Sequence, residues 1–391
     1  VSSAPVESRA GNDPLAILFV DHTGKPGGAE LGLGRYLSHD SKFVRGLLLI
    51  EDGPLATSAR EHGIRVEVLG AETNRWRTLL KLGRLKRALR QSPADIVIAN
   101  SLRTAILLSL TMDKAKKYIY YLREDLSSAR LGKIKRQLIL RFVMTRFDGF
   151  LANSKWSAST VPATLSHLPV EVAFPISGTN GIHPRYPSED KIPNSKLRLL
   201  SLSRLTHWKG IHVLLEAVKI LQLEGLGERL NVTIAGGDIF GESQYQGQIQ
   251  ALAASLPGIV RVTGHVNDIS PLLESNDVLV SCSLTPEPFG QVVIQALAAG
   301  LPVVATDHGG PKEILQGTGS GVLVRPGDPT QLAAEIRRLL MAPEVVSQMS
   351  ARALQVAGDY SDKHLVEQFD ESVLLLARSF ADHDRPTRNI L

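Results

Sequence analysis

Thr285-Pro-Glu-Pro-Phe-Gly-Gln-Val-Val-Ile-Gln-Ala-Leu-Ala-Ala-Gly-Leu-Pro-Val-Val-Ala-Thr306 is the stretch of this 391-residue chain that says most about its fold. The apolar run Val278–Val280 before it reads as a strand. Pro288-Phe289-Gly290 then turns the chain into a helix running to about Ala299; Gly300 ends that helix and Pro302 opens the next strand. Strand, loop, helix and strand in this order make one unit of a parallel sheet. A helix that starts at a strand's carboxyl end points its first N–H groups at whatever binds there, and an anionic phosphate suits them. Glu287, just ahead of that terminus, can accept hydrogen bonds from ligand hydroxyls or can simply complement the helix dipole. The pattern alone leaves both readings open.

The same alternation extends in both directions. Leu197–Ser201, Val232–Ala235, Val260–Thr263, Val278–Val280 and Val303–Ala305 read as strands with helices between them. A first series comprises Ala16–Val20, Leu47–Ile50, Val66–Leu69, Ile96–Ala99, Tyr118–Leu122 and Gly149–Ala152, again with intervening helices. The pattern breaks between Pro175 and Ser195, where Pro and Gly cluster without apolar period. The expected organisation is therefore a loose tail over 1–13, an α/β domain over 14–180, a linker over 181–195 and a second α/β domain over 196–358. A long amphipathic helix over 359–381 and a tail over 382–391 complete it. Two doubly wound domains facing a cleft would bind ligands at the carboxyl ends of their strands.

Composition narrows the class. At 43% hydrophobic and 21% charged residues the chain is globular, and no apolar run approaches the roughly 18 residues of a membrane span. Val1–Asp13 lacks the basic-then-apolar order of a signal peptide. The one cysteine, Cys282, excludes an internal disulfide, suits a reducing compartment, and reads as a buried thiol. The eleven histidines have no metal-ligand spacing, and Asp382-His-Asp384 lies in a polar tail, so no metal is expected. Gly317-Thr-Gly-Ser-Gly321 lacks the strand–helix context of a dinucleotide fingerprint and reads as a turn. Residues 1–185 hold 27 Lys and Arg against 16 Asp and Glu, whereas residues 186–391 hold 17 against 23. Such asymmetry suggests that the first half meets something anionic, or else that it carries solvated helix faces. Nucleic-acid motifs are missing, so an anionic membrane surface or a phosphorylated acceptor fits better. The charge gathers in Arg75–Arg90 and Arg130–Arg146; Lys81, Arg84, Lys86 and Arg87 facing one way would hold the chain at a leaflet by salt-screened attraction.

The stretch around Glu287 resembles the signature of retaining nucleotide-sugar glycosyltransferases of family 4, which have the GT-B fold of two Rossmann-like domains with a C-terminal helix crossing back. The resemblance covers nearly the whole chain. It implies that Glu287 contacts the donor sugar. The family usually carries a second glutamate eight positions later, on the helix, for the ribose hydroxyls; here Gln295 stands in its place, and an amide binds a hydroxyl without charge assistance. Phe289, Gly290, Gln291 and Val292 fall on the donor-binding turn. Leu200-Ser-Leu-Ser-Arg-Leu-Thr-His-Trp-Lys-Gly210 resembles the loop whose Arg204 and Lys209 embrace the donor diphosphate. A guanidinium and an ammonium together can neutralise that leaving group without a metal. Gly236, in Val232-Thr-Ile-Ala-Gly-Gly237, and Arg261 and Val262, in Arg261-Val-Thr-Gly-His-Val266, match backbone positions beside the nucleotide.

In the first domain Gly27-Gly28-Ala29-Glu30 resembles the family's glycine loop, with Gly27 and Gly28 allowing close approach of a phosphate or acceptor. Arg123, in Tyr120-Tyr-Leu-Arg-Glu-Asp125, stands about where many members have a histidine close to the donor sugar. An arginine–acid pair occurs there in a subset resembling bacterial exopolysaccharide enzymes, which casts Glu124 as its orienting partner; a structural salt bridge is the alternative. Asn153 resembles a position on the acceptor side. The resemblance implies a cytoplasmic transferase, peripheral at the inner membrane face, that uses a nucleotide-sugar, no cofactor, no metal and no nucleic acid, and serves a glycan or lipid-linked acceptor. A hydrolase or epimerase of the same fold would need an acid/base set that the sequence does not reveal. A weak binding subunit would fit Gln295 but not the retention of Glu287, Arg204 and Lys209.

Overall fold

The computed structural model describes residues 14–70, 78–127, 132–184, 196–237 and 243–383. The expected N-terminal tail, most of the 181–195 linker, residues 384–391, and Arg75, Arg77 and Arg130 lie outside these described residues. The chain divides into two compact units. One takes in Val1–Asn153, Thr160–Pro175 and Val366–Leu391, the other Ser154–Ser159 and Ile176–Leu365.

In the first unit, strands β1 (Ala16–Asp21), β2 (Val44–Leu49), β3 (Arg65–Val68), β4 (Ile96–Ala99), β5 (Lys117–Leu122), β6 (Gly149–Ala152) and β7 (Val170–Val172) form a parallel sheet in the order β3-β2-β1-β4-β5-β6-β7. Helices α1 (Gly28–Ser38), α2 (Pro54–Glu61), α3 (Thr78–Gln91), α4 (Leu102–Ser109) and α5 (Lys133–Phe142) connect them. Strands β1 and β4 are buried along their whole length, as near-continuous apolar runs must be when helices cover both faces. Helix Asp362–His383 supplies the end of this unit's core. Phe369 places its ring 4.4 Å from Tyr36, 5.5 Å from Tyr121 and 6.1 Å from Phe19. Beside it, Asp370 accepts from the Tyr36 hydroxyl at 2.6 Å and the Lys42 N–H at 2.9 Å.

The second unit contains α6 (Lys155–Ser159) and the strands β8 (Leu197–Leu202), β9 (Leu230–Ala235), β10 (Val260–Gly264), β11 (Val278–Ser281), β12 (Val303–Thr306) and β13 (Gly321–Val324), ordered β10-β9-β8-β11-β12-β13 and all parallel. Its remaining helices are α7 (Ile211–Leu223), α8 (Ser243–Ala254), α9 (Ser270–Ser275), α10 (Gln291–Ala298), α11 (Gly309–Leu315), α12 (Pro329–Met341) and α13 (Pro343–Gly358); α14 (Asp362–His383) begins here and passes into the first unit at Val366. Leu214, Val218, Val232, Ile234, Val280 and Ile336 belong to one buried cluster that joins α7 and α12 to the sheet.

Strands β7 and β13 were not expected. Val170-Glu-Val172 is a three-residue edge strand between prolines, too short for alternation to register. Gly321-Val-Leu-Val324 directly follows the glycine-rich turn and ends at Arg325-Pro326, so punctuation hides it.

Candidate active site

In both sheets the strand order reverses beside the first strand of its unit, and open α/β sheets offer a crevice at that point, outside the carboxyl ends of the two flanking strands. In the second unit those strands are β8 and β11. The loops leaving them carry Ser203–Lys209 and Ser283–Gly290, so Lys209 and Glu287 meet although 78 residues separate them. Lys209 Nζ donates to Glu287 Oε1 at 2.7 Å, with the side chains only 10% and 14% exposed. Lys209 also lies 4.4 Å from the Trp208 ring, and Ser283 Oγ donates to Glu287 Oε2 at 3.4 Å. His308 donates from Nε2 to the Ser283 carbonyl at 2.9 Å, which fixes its tautomer; burial holds its imidazole below the ordinary value.

Backbone contacts hold these loops together. Ser203 N–H donates to the Ala235 carbonyl and Leu205 N–H to that of Gly237, so the Arg204 loop is fastened to the turn after β9. Gly236 sits there at φ +144, and a Cβ on it would lie 1.8 Å from the Ser203 carbonyl oxygen; only glycine fits. Gly310 N–H donates to the Glu287 carbonyl at 2.8 Å, anchoring the acidic loop to the start of α11. Gly290 caps α10 at φ +105, Gln291 and Val292 begin that helix, and Phe289 is buried 6.4 Å from the Tyr360 ring. Ser154, from the short segment that includes α6, donates to the Pro288 carbonyl at 2.5 Å. Arg204 is half-buried in its loop. Arg261 and Val262 lie within β10, and the exposed Arg261 lines a hollow with Asn231 and Thr233.

Gln295 has a partner that the sequence did not suggest. It is buried, and its Nε2 donates to the Ser177 carbonyl at 2.7 Å. A carboxylate could not make this bond, because a carbonyl only accepts. The amide therefore clasps the segment that follows Pro175. Ser177 is followed by Gly178, Thr179 and Asn180, whose N–H groups converge on the Asp362 carboxylate at 2.9–3.3 Å.

The first unit gathers a polar cluster at the carboxyl ends of β1 and β4. Asp21, fully buried, accepts from Asn100 Nδ2 at 2.5 Å, from Ser101 Oγ at 3.0 Å and from the His22 ring at 2.9 Å. Because a carboxylate only accepts, His22 Nδ1 carries the hydrogen and Nε2 is its second, outer nitrogen. The bond to Asp21 raises the His22 pKa. Glu30 folds back over the glycine loop so closely that a Cβ on Gly27 would lie 2.4 Å from its Oε2; Gly28 begins α1. Burial, aided by Asp21, raises the Glu30 carboxyl above its usual range.

Potential ligand atoms of Asp21, His22 and Glu30 lie within 4.8 Å of one another, a grouping that spacing of 1 and 8 residues along a loop and helix does not advertise. Asp21's oxygens are already engaged by three neighbouring side chains. Arg123 and Glu124 part company, contrary to the expected pairing: Arg123 stacks 3.9 Å above the Tyr121 ring, whereas Glu124 accepts from the Tyr120 hydroxyl at 2.5 Å. Successive residues at a strand end point to opposite sides, so adjacent charges need not meet. Asn153, after β6, is buried, and its N–H donates to the Leu122 carbonyl.

Two Rossmann-like domains, each built on a parallel sheet, are the architecture of the GT-B class of α/β proteins. Residues 184–356 match the family described as glycosyl transferases group 1. Among curated proteins the chain is 31% identical over 189 residues to the amylovoran biosynthesis glycosyltransferase AmsK of Erwinia amylovora, covering 46% of this chain and 45% of that one. It is 26% identical to the human alpha-1,3/1,6-mannosyltransferase ALG2, over 70% of this chain and 71% of that one. The chain spans under half the length of AmsK and of the Rhizobium meliloti lipopolysaccharide core biosynthesis glycosyltransferase LpsE, 45% and 48% respectively. The crystal structure of Anabaena Alr3699/HepE in complex with UDP and glucose superposes with a TM-score of 0.77 at 24% identity, covering 93% of this chain and 99% of that one. That likeness establishes the fold.

Proposed function

We propose that the chain is a retaining, metal-independent glycosyltransferase that moves a sugar from a nucleotide-sugar to a glycan or lipid-linked acceptor in polysaccharide or glycoconjugate biosynthesis. The observation that carries this reading is the Lys209–Glu287 pair at the switch point of the second unit. It places a cation and a hydroxyl-binding carboxylate side by side, as a diphosphate-linked sugar requires. Lys209 and Arg204 take up the charge that grows on the diphosphate as the glycosidic bond breaks, which is where preorganised cations accelerate a reaction most. Glu287, held by Lys209 and Ser283, orients the sugar hydroxyls. The acceptor hydroxyl attacks from the face that the diphosphate leaves, and the departing phosphate oxygen takes its proton, so this route needs no separate base. Two cations neutralise the leaving group without calling on a metal ion or a cofactor. The relatives named for amylovoran and lipopolysaccharide core biosynthesis support the acceptor class. The basic first half supports work at the cytoplasmic face of an anionic membrane.

A second reading, hydrolysis of the donor, draws on the Asp21–His22 pair, an acid/base set not evident in the sequence. Release of nucleotide from nucleotide-sugars, measured with and without glycan acceptors, tests both. Acceptor-dependent release with an α-configured product from an α-linked donor is expected. Release indifferent to acceptor would favour hydrolysis, and an inverted product would end the retaining assignment.

A further inference from the structure

Helix α5 is unlike the other helices of the first unit for which buried residues are described, because none of its residues is fully buried. Its inner side is narrow. Arg136 donates from Nε to the Leu126 carbonyl at 2.6 Å, and Ile139 and Leu140 pack on the core cluster of the unit. On the opposite side, Ile134, Leu138 and Phe142 follow one another at four-residue intervals and form a single stripe along the helix. They are 78%, 52% and 56% exposed. Lys135 lies on one flank and Arg141 on the other, the latter 5.9 Å from the Phe142 ring. From Leu126 to Phe147 the chain carries six Lys and Arg and no Asp or Glu.

An apolar stripe with basic flanks matches the two layers of an anionic leaflet: acyl chains below, phosphates at the height of the flanking cations. A second copy of this chain is a poor occupant, since a symmetric contact would press like charges together. Among the described side chains of helix α3, which holds the other basic segment, Leu85, Ala88 and Leu89 turn into the core, leaving charge without an apolar stripe.

We propose that α5 is the membrane-docking surface of this protein, with Ile134, Leu138 and Phe142 entering the acyl boundary of an anionic leaflet and Lys133, Lys135 and Arg141 engaging its phosphates. This deepens the membrane part of the reading above, yet vesicle binding needs neither donor nor acceptor, so it can fail while transferase activity stands, or the reverse. The test is co-sedimentation of the full chain with phosphatidylglycerol–phosphatidylcholine vesicles and with pure phosphatidylcholine vesicles, at about 50 mM and about 500 mM salt, where the Debye length shrinks from over 10 Å to under 5 Å.

Binding to anionic vesicles should persist in part at high salt, because the stripe is not screened. The variant Ile134→Ser/Leu138→Ser/Phe142→Ser should lower the partition coefficient at least about tenfold at both salts and abolish the salt-resistant part. Its melting temperature should stay that of the parent, as these side chains bury little. The variant Arg84→Glu/Lys86→Glu/Arg87→Glu should weaken binding at low salt only. Unchanged partition of the serine variant would overturn the proposal. So would a parent that forms dimers in buffer, by sedimentation equilibrium, which the serine variant does not.

Discussion

Lys209 Nζ and Glu287 Oε1 lie 2.7 Å apart, with only a tenth and a seventh of their side chains exposed. Two charges so placed are costly to desolvate and tolerate the loss of a partner badly. The pair thus fixes the geometry of both loops before any ligand arrives, and it makes each residue's removal a double injury.

Lys209→Ala should lower turnover by about a hundredfold, because it removes charge stabilisation at the leaving group. It should also destabilise the fold by about 3 kcal/mol, since Glu287 would then be buried without its cation. Lys209→Met combined with Glu287→Gln should recover most of the stability and none of the activity. Thermal melts and nucleotide release on the single and double variants check this. Near-normal turnover in Lys209→Ala would remove the lysine from the mechanism.

Gln295→Glu bears on a position where the family resemblance and the structure pull apart. The amide N–H donates to the Ser177 carbonyl, so a carboxylate there would face an acceptor with an acceptor, at a cost of about 1–3 kcal/mol. Only a protonated glutamate can restore the bond. The substituted carboxyl should therefore have a raised folded pKa, with the stability it contributes complete below its unfolded value and lost as pH rises through the folded value. Melting temperatures should match the parent's near pH 4.5 and fall below it at pH 8. In the sequence comparison this substitution means a ribose contact of altered strength, about 1–2 kcal/mol in nucleotide affinity. Calorimetric titration with nucleotides separates the ribose effect from the loss of the clasp.

How much could be read from the residues follows from the range of the forces involved. Strands such as Ala16–Val20 and Ile96–Ala99 were legible because complete burial writes an unbroken apolar run into the sequence. The loop carrying Glu287 was legible because proline and glycine fix its backbone locally. What pairs with what was not. Lys209–Glu287 and Gln295–Ser177 join positions 78 and 118 residues apart, and no local pattern encodes such a meeting. Arg123 and Glu124 show the opposite case: the family resemblance cast them as partners, and the alternation of a strand end separates them. The one local clue to the Asp21 cluster was an acid followed by a histidine at the end of a buried strand, in a loop whose glycines alone had drawn notice.

His22 should titrate above its ordinary value of 6.5, chiefly through its hydrogen bond to Asp21 and against the effect of burial. A raised pKa means that protonated His22 is favoured by folding. The stability it contributes is complete below about pH 6.5 and fades as pH rises through the folded value. Asp21→Asn should move the His22 midpoint downward and erase that pH-dependent part, whereas His22→Gln should erase it without disturbing Asn100. Ring-proton chemical shifts followed against pH give the midpoint directly. If His22 titrates at or below 6.5 in the parent, the pairing with Asp21 does not hold in solution.

Gly309 offers a way to move Glu287 without touching a charge. It sits at φ +66, and a Cβ added to it would lie 2.4 Å from the Glu287 carbonyl oxygen and 2.7 Å from the Glu287 nitrogen. Both atoms are backbone, so no side-chain rotation can make room. Gly309→Ala must therefore shift the acidic loop, and it also forces a left-handed conformation on alanine, costing about 1–3 kcal/mol. Misplacing a catalytic group by an ångström can cost about a hundredfold, so turnover should fall by an amount comparable to that of Lys209→Ala although every charge is retained. Gly358→Ala is the matched control. That glycine ends α13 with open space where the methyl would go, and the substitution should leave turnover unchanged and raise stability slightly. Initial rates and melting curves for the two alanine variants decide the matter; equal turnover in both would mean that the position of Glu287 is not what limits the reaction.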